Sequence, residues 1–480
     1  MISISAFACL FLLLHFELSA IRAIPQTDDY SVEGGSRYGG GSLISLRSNE
    51  LANVNSDNNI ERADLPSNSD VYNAYGVSAV ERETTEEKKP SCPKPQEESR
   101  FREVDKETLV YSVWFDDRKK QNFIRIMLLT STRNPLPPLN CYFKGASKQK
   151  TFTSEASFYQ HNENHRMLFG SFIASCAIPQ EVDNIPCFVN ISTSSTAEKQ
   201  NKSNSVVFPV GFIDRLHSTR KTMRGKYGIC IPPVHGDISV DKLIEFLELS
   251  QILGASHFTF YDLAMSESMR EVLKYYQNKG IANVLPWNLP AYINRNDVHY
   301  FAQPLSIMDC LYRSMIHLHF VAFNDLDEFI VPLRHDNMSA LLEEIHREEH
   351  CGHCFESVIF DPSKDQDLIK SSPLLSQRVL HRTSKATPFW TKCVVDPRRI
   401  YEQGIHHISK PIEEYYSADK VDFNVARVFH YRKCQDSRAA MQPKCIGLEV
   451  DKTMAKFGEQ LLRKFEIRIN DLNVRKPKET

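Results

Sequence analysis

The chain has almost no net charge. Its 58 lysines and arginines nearly balance 60 aspartates and glutamates, which leaves a formal charge of −2 over 480 residues. It also lacks a basic stripe with interleaved aromatic residues, the usual footprint of a nucleic-acid-binding surface. With no bulk attraction to polyanions, the composition argues against a nucleic acid partner. No internal repeat is found, and 41% hydrophobic residues are enough for at least one large core.

A long apolar run is missing as well. The N-terminal segment is apolar, with one exception, only from Ala6 to Phe16, whereas a membrane-spanning helix needs about 20 residues. Residues 1–23 are therefore predicted to be a signal peptide, cleaved at Ala20 or Ala23, or a short signal anchor. Both alternatives deliver the rest of the chain to the secretory lumen, and the second keeps it associated with a membrane.

Phenylalanine and tryptophan are absent between Ile24 and Pro90, where four tyrosines are the only aromatic residues. Five of the chain's 18 glycines fall between Gly34 and Gly41. Such a segment cannot bury enough apolar surface to offset the entropy cost of ordering it. Residues 24–104 are therefore predicted to be a disordered stem.

Cysteine, by contrast, is plentiful. Of the 12 cysteines, all but Cys9 lie between Cys92 and Cys445, which predicts several disulfides in an oxidising compartment and at least one unpaired thiol. Three Asn-x-Ser sequons, at Asn190, Asn201 and Asn337, are candidate glycosylation sites. Both features agree with the leader and predict a secretory-pathway protein.

The pattern of the rest of the chain predicts an α/β fold class. Short β-branched and aromatic runs such as TLVYSVWF and FIRIMLLT predict a small β-rich domain over residues 105–215. Strands and helices then alternate, which predicts right-handed crossovers and a mostly parallel sheet flanked by helices over residues 226–460. Residues 461–480 are predicted to be a C-terminal tail.

Local signals give some boundaries inside the α/β region. The first strand, YGICIPPV, is predicted to end at its two prolines. Ser239 is expected to cap the helix that follows, and Gly254 to end it. The second strand is expected to end near Asp262 and the third near Trp287.

Three acids interrupt the apolar run FVAFNDLDEFIVP at the carboxyl end of the predicted fourth strand: Asp325, Asp327 and Glu328. Ligands of open α/β sheets bind outside the carboxyl ends of the strands. An unpaired buried carboxylate costs several kcal/mol or more, so such groups pair, become neutral or hold a metal. On extended chain an Asp-x-Asp pair points to one side, which suits Mg²⁺ or Mn²⁺.

Two other readings of these acids are weaker. An EF-hand loop would place Phe329 and Ile330 where an oxygen ligand and a glycine are required. A phosphatase that forms an aspartyl-phosphate also follows an apolar strand with Asp-x-Asp, but the leader, sequons and stem do not favour that class.

The sequence CGHC, from Cys351 to Cys354, has the letters of a dithiol redox motif. It follows a predicted helix and precedes a strand, whereas a redox motif lies at a helix N-terminus, which lowers the pKa of the first thiol. A zinc site of Cys351, Cys354, His346 and His350 is a further alternative. Structural disulfides are the main expectation.

Several motifs together resemble glycosyltransferase family 92. They are LVYSVWFDDR, LIEFLELSQILGASHFTFYD, MDCLYRSMIHLHFVAFNDLDEFIVP, TKCVVDPRRIYEQGIHHI and ARVFHYRKC, in order over roughly residues 107–435. The resemblance implies a GT-A-like catalytic domain that moves galactose from UDP-galactose onto a glycan acceptor, with inversion and with Mn²⁺. It also implies the Golgi lumen as the place of action.

The resemblance suggests roles for individual residues. Asp325 is expected near the ribose or the metal, and Asp327 is expected to ligate Mn²⁺. His430 is the first candidate for a further metal ligand, and His406 is the second. Candidates for donor binding are Pro232, with Pro233 beside it, Asp262, Arg313 and Lys392.

An inverting transfer also needs a general base for the acceptor hydroxyl. The candidates are Asp361, Glu402, Glu413 and Glu414, and the sequence does not choose among them. The alternative function is a catalytically inactive, lumenal carbohydrate-binding relative.

Overall fold

The computed structural model describes residues 99–133, 136–144, 151–180, 182, 186–193, 205–212, 225–236, 238–365, 372–434 and 447–472. The predicted leader, almost all of the predicted stem and the sequon at Asn201 lie outside the described residues. No helix in the described ranges is long and apolar enough to cross a membrane.

The first sheet has nine strands. They are β1 (Arg102–Asp105), β2 (Thr108–Asp116), β3 (Phe123–Ser131), β4 (Asn140–Lys144), β5 (Thr151–Gln160), β6 (Phe169–Ala177), β7 (Phe188–Ser192), β8 (Val206–Pro209) and β9 (Gly211–Phe212). Their order is β1-β2-β3-β6-β5-β4-β7-β8, and β9 pairs with β2. A disulfide between Cys141 and Cys176 links β4 to β6.

Both faces of the first sheet are covered, which explains why every residue of β2 is buried. Side chains of a strand alternate between the two faces. Val110 and Phe115 pack into a core within this sheet's own strands and loops. Leu109 and Tyr111 belong to a second core, shared with the larger sheet.

The second sheet has eleven strands. They are β10 (Tyr227–Gly236), β11 (Ala255–Met265), β12 (Ala282–Pro286), β13 (Phe320–Phe323), β14 (Glu328–Pro332), β15 (His350–Phe360), β16 (His381–Thr383), β17 (Thr387–Val395), β20 (Ser417–Lys420), β21 (Ala426–Tyr431) and β22 (Leu448–Val450). A separate pair consists of β18 (Ile400–Gln403) and β19 (Ile408–Pro411). The main path runs β12-β11-β10-β13-β17-β15-β16-β22.

The described residues contain six α-helices: α1 (Val240–Ile252), α2 (Glu267–Asn278), α3 (Gln303–Ser314), α4 (Met338–Ile345), α5 (Leu375–Arg378) and α6 (Gly458–Asp471). The Ser239 hydroxyl accepts a hydrogen bond from the Lys242 N–H, which confirms the predicted cap of α1. Gly254 follows α1 with φ +106°, a conformation that favours glycine. Cys230 in β10 forms a disulfide with Cys310 in α3.

The sheet is mixed, so the prediction of a mostly parallel sheet is corrected. The crossover helices make β12, β11, β10 and β13 parallel neighbours. Strand β13 also pairs antiparallel with β17, and β17 pairs antiparallel with β15. The fold is therefore α/β but rich in strands.

Two predicted boundaries also differ from the structure. Strand β10 does not end at its prolines but runs through Pro232 and Pro233, with a break in the register between Cys230 and Pro233. Proline lacks the N–H needed for a regular ladder and is accommodated at such irregularities. At the other end of the chain, α6 crosses the predicted boundary at residue 460 and buries Leu461 and Phe465 in the core, so this part is not a tail.

Candidate active site

The three acids lie on a turn, not on one continuous strand. Strand β13 ends at Phe323, residues 324–327 form the turn, and β14 begins at Glu328. The Glu328 N–H donates to the Asp325 carbonyl at 3.2 Å. The expectation of Asp-x-Asp on extended chain is therefore wrong, although the acids do follow the carboxyl end of a parallel strand. We call residues 324–328 the acid turn.

The buried side chain of Glu328 holds the acid turn in place. It is buried, and one carboxylate oxygen accepts the Asp325 N–H at 3.0 Å and lies 2.9 Å from the Lys392 amine. Its other oxygen lies 3.5 Å from Nδ1 of His430. Glu328 therefore contacts the turn backbone, a lysine and a histidine at once, which gives this residue the structural role that the sequence did not reveal.

Lys392 is the buried counter-ion of the acid turn. Its amine lies 3.1 Å from the Asp325 carboxylate, and only 1% of its side chain is exposed. Burial alone lowers a lysine pKa, but the charges of Asp325 and Glu328 outweigh burial and raise it. Burial likewise raises the pKa of Asp325, but the charge of Lys392 prevails and holds it below its usual value.

His430 reaches the acid turn from β21. It is the antiparallel partner of Glu328, and the Tyr431 N–H donates to the Asp327 carbonyl at 2.8 Å. Nε2 of His430 lies 3.5 Å from the Asp327 carboxylate. Burial lowers the pKa of His430, but the hydrogen bond to Asp327 and the charge of Glu328 outweigh it, so the net direction is upward.

Exposure separates the members of this cluster. The side chains of Asp325 and Asp327 are 41% and 46% exposed, whereas Glu328 is sealed. Lys392 contacts Asp325 and Glu328, while Asp327 lies beside His430. With Glu328 ionised and His430 neutral, three carboxylates and one lysine leave an excess of two negative charges. Two half-exposed carboxylates and an imidazole nitrogen, with that excess charge, fit a divalent cation.

His406 lies near Lys392 both along the chain and in the fold. Its Nδ1 lies 3.2 Å from the Thr391 carbonyl. Burial first, and then the charge of Lys392, lower the pKa of His406 to about 4. His430, with its nitrogen beside Asp327, is therefore the better placed of the two candidate ligands.

The structure brings two of the donor candidates to the same edge as the acid turn. Pro232 lies within β10, two residues after Cys230, which pairs with Phe323 at the end of β13. It lines a small cavity with Tyr261 and Gln303. Asp262 lies near the end of β11, where its carboxylate pairs with Arg270 at 2.7 Å and accepts the Met265 N–H. Because β10, β11 and β13 are parallel, their carboxyl ends share one edge of the sheet.

Arg313 is engaged elsewhere. Its guanidinium pairs with Asp309 at 2.5 Å and lies 5.1 Å from the ring of Trp114 in the first sheet. It lines a cavity of about 300 Å³ together with Arg100 and Arg102. Its contacts are thus with the interface between the two sheets and not with the acid turn.

The four base candidates are scattered. Asp361 is buried at the end of β15, where it accepts hydrogen bonds from Ser363. Glu402 is buried and accepts hydrogen bonds from Tyr159 and Asn162 in the first sheet. Burial is also the largest cause that raises the pKa of Glu402.

The other two candidates lie nearer the surface. Glu413 pairs with Lys119 at 3.5 Å, and Glu414 is exposed. Among the described residues, the hydrogen bonds and ion pairs of these four carboxylates include none with the acid turn.

The two sequons within the described residues occupy different settings. Asn190 lies in β7, between Tyr142 of β4 and Val207 of β8. Asn337 is the N-cap of α4, and its side-chain oxygen accepts the Ala340 N–H at 3.0 Å. Glycosylation at either residue stays a prediction.

The CGHC segment lies within β15 and not between a helix and a strand. Cys354 forms a disulfide with Cys393 of β17, and Cys351 is a buried free thiol. Burial raises the pKa of Cys351 to about 11. The disulfide confirms the structural expectation and removes Cys354 from both the dithiol and the zinc alternative.

The fold and the acid turn define an α/β protein with a candidate cation site at the carboxyl edge of its parallel strands. Comparison with known proteins gives the family. The profile of "Glycosyltransferase family 92" matches residues 225–477, more than half of the chain. The chain belongs to this family and is a glycosyltransferase.

Its relatives carry more specific names. A beta-1,4-galactosyltransferase, galt-1, of Caenorhabditis elegans is 26% identical over 417 residues, which cover 82% of this chain and 90% of the relative. A galactan beta-1,4-galactosyltransferase of Arabidopsis thaliana is 25% identical over 229 residues, covering 45% of this chain and 43% of the relative.

Solved structures are similar only at a low level. Glucosyl-3-phosphoglycerate synthase of Mycobacterium tuberculosis, in complex with Mn²⁺ and UDP, is 10% identical with a TM-score of 0.21, and the match covers 39% of this chain and 62% of that one. The galactosyltransferase LgtC, with donor and acceptor sugar analogs, is 11% identical with a TM-score of 0.23, covering 53% and 98%. At these scores the likeness supports no structural argument.

Proposed function

We propose that this glycosyltransferase uses a divalent cation to transfer galactose from UDP-galactose onto a glycan acceptor in the secretory pathway. One observation carries the proposal: two half-exposed carboxylates, Asp325 and Asp327, stand at the carboxyl edge of the parallel strands with more negative charge than Lys392 neutralises. The names of the relatives support galactose as the transferred sugar. The α/β arrangement around the acid turn supports a GT-A-like domain.

The cation would be held by Asp325 and Asp327, with Nε2 of His430 as a further ligand. Mn²⁺ is the ion that we propose, because two of these three ligands are carboxylates, which suit it. When bound, such an ion neutralises the diphosphate and favours departure of UDP. The chain's own contribution is to fix the ligands, because Glu328 and Lys392 hold the Asp325 backbone and carboxylate in place.

We assign Lys392 to this positioning role and not to the diphosphate. Its amine already contacts Asp325 and Glu328, and its side chain is sealed from solvent. Arg313 is also left out of the donor site, because Asp309 and Trp114 hold its guanidinium. Pro232 and Asp262 remain the proposed contacts for the nucleoside part of the donor.

Of the base candidates, Asp361 has the most favourable strand position. It follows β15, whose Ile359 is the parallel partner of His430. Asp361 therefore lies at the end of the sheet that holds the acid turn. Glu402 is bonded to the first sheet instead, and Glu413 and Glu414 lie at the surface.

Three disulfides in the described residues support a lumenal location. The Golgi lumen and a membrane link through residues 1–23 remain predictions about a segment outside the described residues.

The test is a transfer assay with the full chain secreted from cultured cells. UDP-galactose, Mn²⁺ and an array of glycan acceptors are supplied, and galactosylated product is measured. We expect transfer that EDTA abolishes and Mn²⁺ restores, and that Asp327→Ala abolishes. Asp336→Ala, at an exposed aspartate, is the control. Wild-type turnover by Asp327→Ala would refute the cation site, and glycan binding without transfer would support the inactive carbohydrate-binding alternative.

A further inference from the structure

A group of histidines lies around the amino end of β15, away from the acid turn. One nitrogen each of His350 and His353 and one carboxylate oxygen of Asp419 lie within 4.8 Å of one another. Strand β15 is the second neighbour of β13 in the sheet, with β17 between them. Two strand spacings correspond to about 10 Å, so the group is separate from Asp325 and Asp327.

A bulge brings the two histidines together. Residues three apart on a regular strand point to opposite faces. The register between β15 and β20 shifts between His350 and Gly352, so that His350 pairs with Ser417 and His353 pairs with Asp419. The extra residue turns His350 to the side of His353, and the two rings lie 5.3 Å apart.

The hydrogen bonds orient the central imidazole. Nδ1 of His353 lies 2.8 Å from the Asp419 carboxylate, and its Nε2 lies 3.1 Å from Nδ1 of His346. If Nε2–H of His353 donates to His346, its Nδ1 is left as an electron-pair donor beside the Asp419 oxygen. Metal-binding histidines are commonly fixed by such a bond from the other ring nitrogen.

An unsatisfied atom of the site points to a missing ligand. Nδ1 of His350 is buried without a hydrogen-bond partner among the described residues. Buried polar atoms are nearly always satisfied, and an exception commonly marks an absent water or ion.

We propose that His350, His353 and Asp419 bind a divalent transition-metal ion of the zinc class. Two imidazoles and a carboxylate suit zinc, with water in the remaining position. The acid turn offers two carboxylates and one imidazole, whereas this group has two imidazoles, and imidazole ligands favour the zinc class. The ion would fasten β20, whose side chains are mostly exposed, to the buried strand β15.

The test uses the full secreted chain with Asp327→Asn, which weakens the other proposed cation site. After chelation, the protein is dialysed against Co²⁺, and bound metal is measured by mass spectrometry and by the visible absorption of low-symmetry Co²⁺. We expect about one bound Co²⁺ that Zn²⁺ displaces. Adding Asp419→Asn or His350→Ala should weaken retention at least tenfold, whereas His335→Ala, which removes another histidine paired with a carboxylate, should not.

No bound Co²⁺, or equal retention by all variants, would overturn the proposal. Circular dichroism of the metal-free variants checks that each has folded. If the variants do not fold, the unsubstituted chain is treated with diethyl pyrocarbonate, and modified histidines are mapped by mass spectrometry. Zn²⁺ should then protect His350, and modification of His350 unchanged by Zn²⁺ would count against the site.

Discussion

Two clusters of buried charge in this molecule are built in opposite ways. In the first sheet, Asp116 is sealed between two arginines, with Arg118 at 2.8 Å and Arg125 at 2.9 Å. In the acid turn, Lys392 is sealed while Asp325 and Asp327 keep nearly half of their side chains exposed. Both clusters have desolvated charges, but only the acid turn presents unneutralised oxygens to solvent.

The arginine cluster has structural partners on every side. Arg118 donates to the Ile400 carbonyl at 2.5 Å and to the Tyr312 hydroxyl at 2.7 Å, and Arg125 donates to Ser175. These bonds tie β2 to α3 and β18. The difference teaches that a buried charge cluster is a candidate site when some of its charged atoms are open to solvent, and a structural connection when all of them are bonded and enclosed.

The largest effect is expected at the acid turn, whose charges are open to solvent. Asp325→Asn should reduce galactose transfer at least about 10³-fold, or about 4 kcal/mol, because a ligand charge is lost. The thermal midpoint should change little, since the side chain is half exposed. Initial rates and thermal unfolding measure the two quantities, with Asp336→Asn as the exposed control. A large loss of stability with normal activity per folded molecule would reverse the assignment.

We call Asp116, Arg118 and Arg125 the closed cluster. A change there should reduce stability and leave transfer activity intact. Asp116→Asn leaves two buried arginines without their counter-ion and should cost about 3 kcal/mol of unfolding free energy, although Asn keeps one acceptor oxygen. Transfer activity per folded molecule should stay near that of the wild type. Urea unfolding measures the loss, and Glu155→Gln, on an exposed position of β5, is the control. Unchanged stability would show that the cluster is not a structural connection.

The sequence pattern predicts where the acid turn lies in the fold, but it does not predict the contacts that hold the turn. The apolar flanks and the predicted parallel strands placed Asp325, Asp327 and Asp262 at one edge. The same apolar flanks predict one strand, HFVAFNDLDEF, across residues 319–329, because the sequence does not show that the Glu328 side chain closes a turn on the Asp325 N–H. Lys392 lies 67 residues from Asp325, a separation that local periodicity cannot bridge.

The sequence does not predict the closed cluster either, because its burial also depends on contacts between distant segments. In the sequence, Asp116 belongs to the run FDDR, which resembles an ordinary solvated turn. Its burial depends on Tyr312 and Ile400, which approach only when the second sheet packs against the first. The prolines of β10 predict the end of a strand, because a proline lacks the N–H that the ladder needs. The register break that accommodates them depends on β11, which the local sequence does not show.

A smaller effect is expected at Glu328, which contacts both the buried Lys392 and the backbone of the half-exposed Asp325. Glu328→Gln keeps the shape but weakens the hold on Lys392 and the Asp325 N–H, so the apparent affinity for Mn²⁺ should fall about 10–100-fold. The Mn²⁺ dependence of the initial rate measures this affinity, and Glu348→Gln at an exposed position is the control. An unchanged Mn²⁺ dependence with a lower maximal rate would move Glu328 from positioning to direct chemistry.

The smallest expected effect is the loss of stability at low pH that comes from the Asp116 cluster. Burial raises the pKa of Asp116, but Arg118 and then Arg125 outweigh it and hold the pKa well below its usual range. A depressed folded pKa contributes stability above the unfolded value of about 3.9 and loses it as pH falls further. Below pH 4 the wild type should therefore lose up to about 1.4 kcal/mol per pH unit from this group, and Asp116→Asn should lack that component. Urea midpoints between pH 5 and about pH 2.5 measure it, and parallel curves for the two proteins would mean that the closed cluster does not hold its carboxylate ionised.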